Sequence, residues 1–254
     1  MLIAAAEAAA DAAAAAIRPL FRTGVAADAK PDESPVTAAD REAETAMRGL
    51  LTERFPGHGI IGEEFGADRA GASHVWVLDP LDGTRAFITG RPLFGTLVAL
   101  LQDGAPVLGI IDQPISGERW VGVAGEPTRF SGGAGQVGVR PCRALAQAEL
   151  SCTSPEMFDA ATAPRWQRLR RAMKRATYGG DCYAYGLVAL GAIDVVAEAG
   201  MQAWDWAALV PVIEGAGGRV TRWNGAPLRV GNGDVLAVGD PALLPLAVAV
   251  LGGA

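Results

Sequence analysis

A β-prone apolar run that ends in acid sets the architecture of this chain. His74-Val-Trp-Val-Leu78 reads as a short strand stopping at Asp79-Pro80. Asp79-Pro-Leu-Asp82-Gly-Thr84 then puts two carboxylates and a hydroxyl into one Pro- and Gly-bent turn. Sites are commonly built at the carboxyl ends of strands, so chemistry is expected here. Like charges this close repel unless they share a cation, and a hard divalent ion wants several oxygens of the kind that Asp79, Asp82, a turn carbonyl and Thr84 offer. Gly62-Glu63-Glu64 follows another apolar run, and Asp205 lies between Trp204 and Trp206. Each acid alone has a plain alternative as a turn former, a helix cap or a solvated charge.

The rest of the chain alternates helix and strand signals. Residues 2–17 are Ala-rich and predict a helix. They lack the basic start and unbroken apolar stretch of a signal peptide, since Glu7 and Asp11 interrupt them and no basic residue precedes Arg18. Residues 24–35 have a mobile-loop composition and include Lys30, which makes a lid a reasonable reading. Thr37, with Asp40 three residues on, predicts a capped helix whose buried face carries Ala43, Met47, Leu50 and Leu51 and which stops before Pro56. Residues 96–101 and 106–111 form a hairpin signal, and the glycines and prolines of residues 122–141 mark loops and a boundary between halves. Further on, residues 165–175 and 181–190 read as helices, residues 193–197 as a strand, and Asp205 as the opening of a helix that reaches Gly215 with a kink at Pro211. A mixed α/β fold of two halves, 1–140 and 141–254, follows, the two forming one catalytic unit.

Composition narrows the partners. With 22 basic against 28 acidic residues the net charge is -6, which offers no general attraction to nucleic acid or an anionic membrane. The basic face of residues 165–175 lacks the interleaved aromatics that stack on bases and reads as a solvated surface. No segment approaches a membrane span. Three cysteines, Cys142, Cys152 and Cys182, have no C-x-x-C spacing, which fits a reducing cytoplasm better than a disulfide framework or structural zinc. Serine-hydrolase, P-loop and zincin motifs are absent.

Taken together, Pro35-Val-Thr-Ala-Ala-Asp40, Ile61-Gly-Glu-Glu64, Trp76-Val-Leu-Asp79-Pro-Leu-Asp82-Gly-Thr84, Trp204-Asp205-Trp-Ala-Ala208 and Glu214-Gly-Ala-Gly-Gly218 resemble the inositol monophosphatase superfamily, end to end and in family order. The resemblance implies a layered αβαβα sandwich of the inositol monophosphatase and fructose-1,6-bisphosphatase type, usually dimeric. It also implies a magnesium-dependent phosphatase with two or three ions per site. Carried over, Glu63, Asp79, the Leu81 carbonyl and Thr84 surround one metal, and Asp79, Asp82 and Asp205 hold another. Glu63 and Thr84, with Asp40 behind Thr84, orient the attacking water without a phosphoenzyme.

Substrate choice rests on finer marks. Asp82-Gly-Thr-Arg85-Ala-Phe87, Ile88-Thr-Gly-Arg-Pro-Leu-Phe-Gly-Thr96, Ile111-Asp-Gln-Pro114, Glu118-Arg119-Trp120 and Gly179-Gly-Asp-Cys-Tyr-Ala-Tyr185 resemble the histidinol-phosphate phosphatase branch. That substrate carries an amine and an imidazole, so its pocket should present acceptors, for which Asp181 and Glu198 are the candidates. Asp181 is equally readable as a helix cap. Gly83, Thr84 and Asp205 complete the expected substrate contacts, with Arg85 either steering phosphate or pairing with an acid. Inositol 1-phosphate or another sugar phosphate is the runner-up substrate. A 3'-phosphoadenosine nucleotidase and a metal-binding module without turnover are the weaker alternatives.

Overall fold

A computed structural model of the protein describes residues 1–29, 35–231 and 233–252. Helix α1 (Leu2–Ile17) buries Ala5, Ala6, Ala9, Ala10, Ala13 and Ile17, small side chains that let it lie close to its neighbours. Within the segment expected to be a loop, β1 (Ala27–Ala29) and β2 (Pro35–Thr37) pair as an antiparallel ribbon. Residues 30–34 of that segment, Lys30 among them, lie outside the described residues. Thr37 caps α2 (Ala38–Arg54) as expected: its Oγ1 accepts from the Ala39 N–H at 3.1 Å, and Asp40 Oδ2 accepts from the Thr37 N–H at 2.7 Å.

Strands β3 (Gly59–Gly62) and β4 (Gly66–Asp68) lead to β5 (His74–Asp82), which runs past Leu78, where the sequence suggested it would end. Pro80 has no N–H to donate, and a shift of register between Asp79 and Asp82 accommodates it. Thr96 donates its hydroxyl to the Pro80 carbonyl at 2.8 Å. After the short helix α3 (Thr84–Ile88), the expected hairpin forms from β6 (Gly95–Gln102) and β7 (Ala105–Gln113). Two further strands, β8 (Glu118–Val123) and β9 (Arg129–Ser131), enter the stretch read as loop. The seven strands are ordered β4-β3-β5-β6-β7-β8-β9.

The second half follows. Strand β10 (Glu149–Cys152) is succeeded by α4 (Ala163–Ala172), which starts at Pro164 in its first turn and ends before residue 175, because the chain turns there into β11 (Arg175–Tyr178) alongside β10. Helix α5 (Asp181–Ala189) matches its expected span. Strand β12 (Val195–Met201) extends further than residue 197 because Gly233 of a later strand pairs with it at Met201. The single kinked helix expected from Asp205 is two helices, α6 (Ala203–Trp206) and α7 (Leu209–Gly215). Pro211 lies in the first turn of α7, where a missing N–H costs nothing. Strands β13 (Arg219–Thr221) and β14 (Gly233–Val238) and helix α8 (Leu243–Gly252) close the chain, giving a five-stranded sheet ordered β11-β10-β12-β14-β13.

Alternation along the strands assigns the layers. Trp76, Leu78, Val98 and Leu100 face α1 and α2, while Val75, Val77, Leu97 and Ala99 face α5, α6 and α7. Across that helical layer lie Val196, Val235 and Ala237 of the second sheet, whose other face packs Val195, Ala197 and Leu236 against α4 and α8. The order is therefore αβαβα, as expected. No helix among the described residues is long and apolar enough to cross a membrane. The three cysteines are buried and free.

Candidate active site

Two parallel strands end side by side. Gly62 of β3 is level with Leu78 of β5, and the Glu63 N–H donates to the Leu78 carbonyl at 3.2 Å, so Glu63 emerges next to Asp79. The bulge at Asp79 and Asp82 turns both carboxylates toward Asp205 on α6. One oxygen from each of Asp79, Asp82 and Asp205 falls within 4.8 Å of the others. Backbone N–H groups fix these side chains: Leu81 donates to Asp79 Oδ1 at 3.0 Å, Cys182 to Asp82 Oδ2 at 2.5 Å, and Gln202 to Asp205 Oδ2 at 2.6 Å. Asp205 thus stands in the first turn of α6 with Gln202 as the capping residue, one turn into the role the sequence suggested.

The charges acting on this group are mostly carboxylates. Burial pushes the Asp79 carboxyl well above its usual range, and Glu63, Asp82 and Asp205 add to the shift. Asp82 is raised by burial and by Asp181 and Asp205, with the hydrogen bond to Cys182 opposing. Three acidic oxygens with so little to neutralise them suit a hard divalent cation, so the donor set fits magnesium.

Thr84 opens α3 directly after Gly83, which has φ +96°. A side chain on Gly83 would meet the Asp181 carboxylate at 3.0 Å, so only glycine fits. Thr84 Oγ1 lies 3.1 Å from Asp40 Oδ1 and 3.2 Å from the Leu81 carbonyl, and its one proton can serve either. Asp40 is buried, held by the Thr37 N–H and hydroxyl.

Opposite lies a second set of acids. Glu198 on β12 is 2 % exposed, accepting from the Thr153 N–H at 2.6 Å and the Tyr185 hydroxyl at 2.8 Å. Burial raises its carboxyl, and those two hydrogen bonds restrain the rise. Asp181 is not a helix cap: it is the first residue of α5, with φ +43°, a left-handed backbone rare for a non-glycine residue. Burial and then Glu198 push its carboxyl up to about 7, with Arg91, Thr153 and Arg85 opposing. Asp181 borders two cavities. A cleft of about 480 Å³ is lined by Glu63, Thr84, Arg85, Arg91 and Tyr178, and a smaller one of about 170 Å³ by Asp82, Tyr185, Glu198 and Asp205.

The structure therefore brings Asp40, Glu63, Asp79, Leu81, Asp82, Gly83, Thr84, Arg85, Asp181, Glu198 and Asp205 around two cavities that share Thr153 and Asp181 as lining. Sequence reasoning missed four supports. Glu44 of α2 accepts from the Glu64 and Phe65 N–H groups at 2.7 and 3.2 Å and from Arg48 Nε at 2.7 Å, which fixes the Gly62-Glu63-Glu64 turn. Cys182, Thr153 and Arg91 are the others. Cys182 and Arg91 sat inside quoted motifs, whereas a glutamate in mid-helix carries no local sign of burial.

Residues 1–252 match the profile of the inositol monophosphatase family. Among individual proteins, the chain is 49% identical over 218 residues to the bifunctional phosphatase IMPL2, chloroplastic, of Arabidopsis thaliana, covering 85% of this chain and 62% of that protein. It thus spans less than two thirds of that relative's length. It is 36% identical over 207 residues to a histidinol-phosphatase of Mycobacterium tuberculosis, covering 78% of each. Among solved structures, an inositol monophosphatase from Zymomonas mobilis superposes with a TM-score of 0.90 at 48% identity, covering 99% of this chain and 97% of that one.

Proposed function

The chain belongs to the inositol monophosphatase family of phosphatases, within its histidinol-phosphate phosphatase branch, and on that premise we propose that it hydrolyses L-histidinol phosphate to L-histidinol and phosphate, a step of histidine synthesis. The observation that carries the substrate choice is Asp181, an acid held in a left-handed backbone between the cleft and the acidic floor. A sugar phosphate offers that carboxylate only neutral hydroxyl donors, whereas an ammonium offers charge-assisted hydrogen bonds, which are roughly twice as strong.

In this reading Glu63, Asp79, the Leu81 carbonyl, Asp82, Thr84 and Asp205 hold two or three magnesium ions. When bound, magnesium supplies Lewis acidity and the positive charge that lets an acidic pocket accept a phosphomonoester. Thr84, donating its proton to Asp40, keeps its oxygen lone pairs for the attacking water, and Glu63 orients that water's other proton. Gly83 leaves room at the reacting centre, and the exposed Arg85 steers the phosphate. Asp181 takes the ammonium, and Glu198, locked by Thr153 and Tyr185, supplies negative potential behind it. Residues 1–140 bring most of the metal ligands and 141–254 complete the site, as one catalytic unit. Action in a reducing compartment such as the cytoplasm fits the free thiols, and a homodimer, checked by light scattering, completes the proposal.

Inositol 1-phosphate or another sugar phosphate is the second reading, favoured by the close superposition on the Zymomonas mobilis protein. Magnesium-dependent phosphate release from histidinol phosphate and from myo-inositol 1-phosphate, compared as kcat/KM, separates the two. Preference for histidinol phosphate supports the proposal. Preference for inositol phosphate keeps the metal-site reading and overturns the substrate.

A further inference from the structure

Helix α5 delivers Cys182, whose N–H holds Asp82 Oδ2 at 2.5 Å, and Asp82 is one of the three acids of the candidate metal site. The start of this helix has no ordinary anchor. Its capping position is Gly180, which offers no side chain to the orphan N–H groups of the first turn, and Asp181 follows with a left-handed backbone.

Two tyrosines seat the helix instead, reaching in opposite directions. The Tyr185 hydroxyl donates to Glu198 at 2.8 Å and ties α5 to β12 of the five-stranded sheet. The Tyr183 hydroxyl donates to Glu118 Oε2 at 2.8 Å and ties the first turn to β8 of the seven-stranded sheet. Glu118 lines neither of the two cavities. Its carboxylate is itself fixed, because Ser116 donates to the same oxygen at 2.7 Å in the turn from β7 to β8. Trp120, fully buried, meets the Tyr183 ring edge-on, with centroids 5.7 Å apart and planes at 81°. A Cβ on Gly186, one turn further along α5, would lie 2.9 Å from the same indole, so the helix rests directly on it. Tyr183 follows Cys182 in the chain, so any rotation of α5 that parts Tyr183 from Glu118 also moves the Cys182 N–H.

We propose that Tyr183 and Glu118 are a positioning pair for Asp82: their hydrogen bond fixes the rotation of the first turn of α5 and so keeps the Cys182 N–H on the carboxylate. This rests on the reading of Asp82 as a metal ligand and adds the support that decides where its oxygens point. A hydrogen bond to a carboxylate is stronger than one between neutral groups, and here donor and acceptor stand on elements of different layers. With the bond removed, the turn regains freedom, Asp82 loses part of its orientation, and the site is less prepared for a cation.

The test is amide hydrogen exchange, followed by NMR, in metal-free protein isotopically labelled at its three cysteines. The Cys142 N–H, held by Asp240 at 2.9 Å in the packing layer of α4 and α8, is the internal reference. Tyr183→Phe, which keeps the ring on Trp120, should speed exchange at Cys182 by about tenfold relative to Cys142. Glu118→Ala should do the same, and the double variant should do no more than either alone. Glu118→Gln, whose amide oxygen still accepts from Tyr183, should stay within about twofold of the unaltered protein. Magnesium affinity measured by calorimetry should weaken by about tenfold in Tyr183→Phe and little in Glu118→Gln. Unchanged exchange at Cys182 in Tyr183→Phe, or equal acceleration at all three cysteines, would reduce the pair to a bystander or a general brace and overturn the proposal. Magnesium affinity that Tyr183→Phe leaves unchanged would overturn it too. No magnesium binding by the unaltered protein would overturn the metal-ligand reading, and the proposal falls with it even where exchange at Cys182 responds.

Discussion

Helix α2 and the end of β5 both bury carboxylates, yet they treat them in opposite ways. Glu44 is fully enclosed, and its oxygens are answered by two backbone N–H groups and Arg48. Asp40 is likewise met by Thr37 and Thr84. At the end of β5, Asp79 and Asp82 each take one backbone N–H, Asp82 also meets the Cys182 thiol, and the charges around both are those of acids. The first arrangement is complete without any added group and holds a turn in place. The second carries charge that the protein leaves uncompensated, which is the mark of a cation site.

The sharpest way to break this contrast is by neutralisation. Asp82→Asn should cut magnesium-dependent turnover by about a thousandfold, since several kcal/mol of transition-state stabilisation go with the ligand, while circular dichroism stays native. Near-normal turnover would remove Asp82 from the site. Glu44→Ala should act on the other side of the comparison, lowering unfolding free energy by about 3 kcal/mol because Arg48 and two N–H groups lose their acceptor. Its magnesium affinity in the remaining folded protein should fall less than its stability suggests.

Metal linkage sharpens the contrast further. Magnesium at a hundred times its Kd should stabilise the protein by about 2.7 kcal/mol per independent site. Asp79→Asn should remove much of that gain and raise the melting temperature of the metal-free protein, whereas Glu44→Gln should lower it. The smallest effect is on pH dependence. Asp181 has its carboxyl raised from 3.8 to about 7 in the folded state, so folding takes up a proton between those values, and metal-free stability falls as pH rises through them. The melting temperature of the unaltered protein should therefore drop by a few degrees relative to Asp181→Asn over that window. A constant difference would contradict the assignment.

Much of this was legible in the sequence because the signals were local. The Thr37 and Asp40 cap, the β6–β7 hairpin and the acid-ended run at residues 74–84 each contain their own reason. The path of β5 through Pro80 was not legible, because the compensating partner is Thr96 on another strand. Asp205 was readable as an important acid but not in its position within α6, since Gln202 is a weak capping signal. Glu44 escaped notice because its burial depends on the turn after β3, brought over α2 only by the sheet. Arg91 and Asp181 line one cleft from distant parts of the chain, a juxtaposition that no spacing records.

The central claim is that the carboxylates ending β5 are completed by a cation, and proton release on metal binding tests it directly. Magnesium titrated into chelator-stripped protein in weak buffer near neutral pH should bind and release protons, because carboxyls raised by burial and by neighbouring acids must ionise fully to hold it. Asp79→Asn and Asp82→Asn should release fewer protons and bind more weakly. No binding at millimolar magnesium, or binding with the same proton count in all three proteins, would contradict the account.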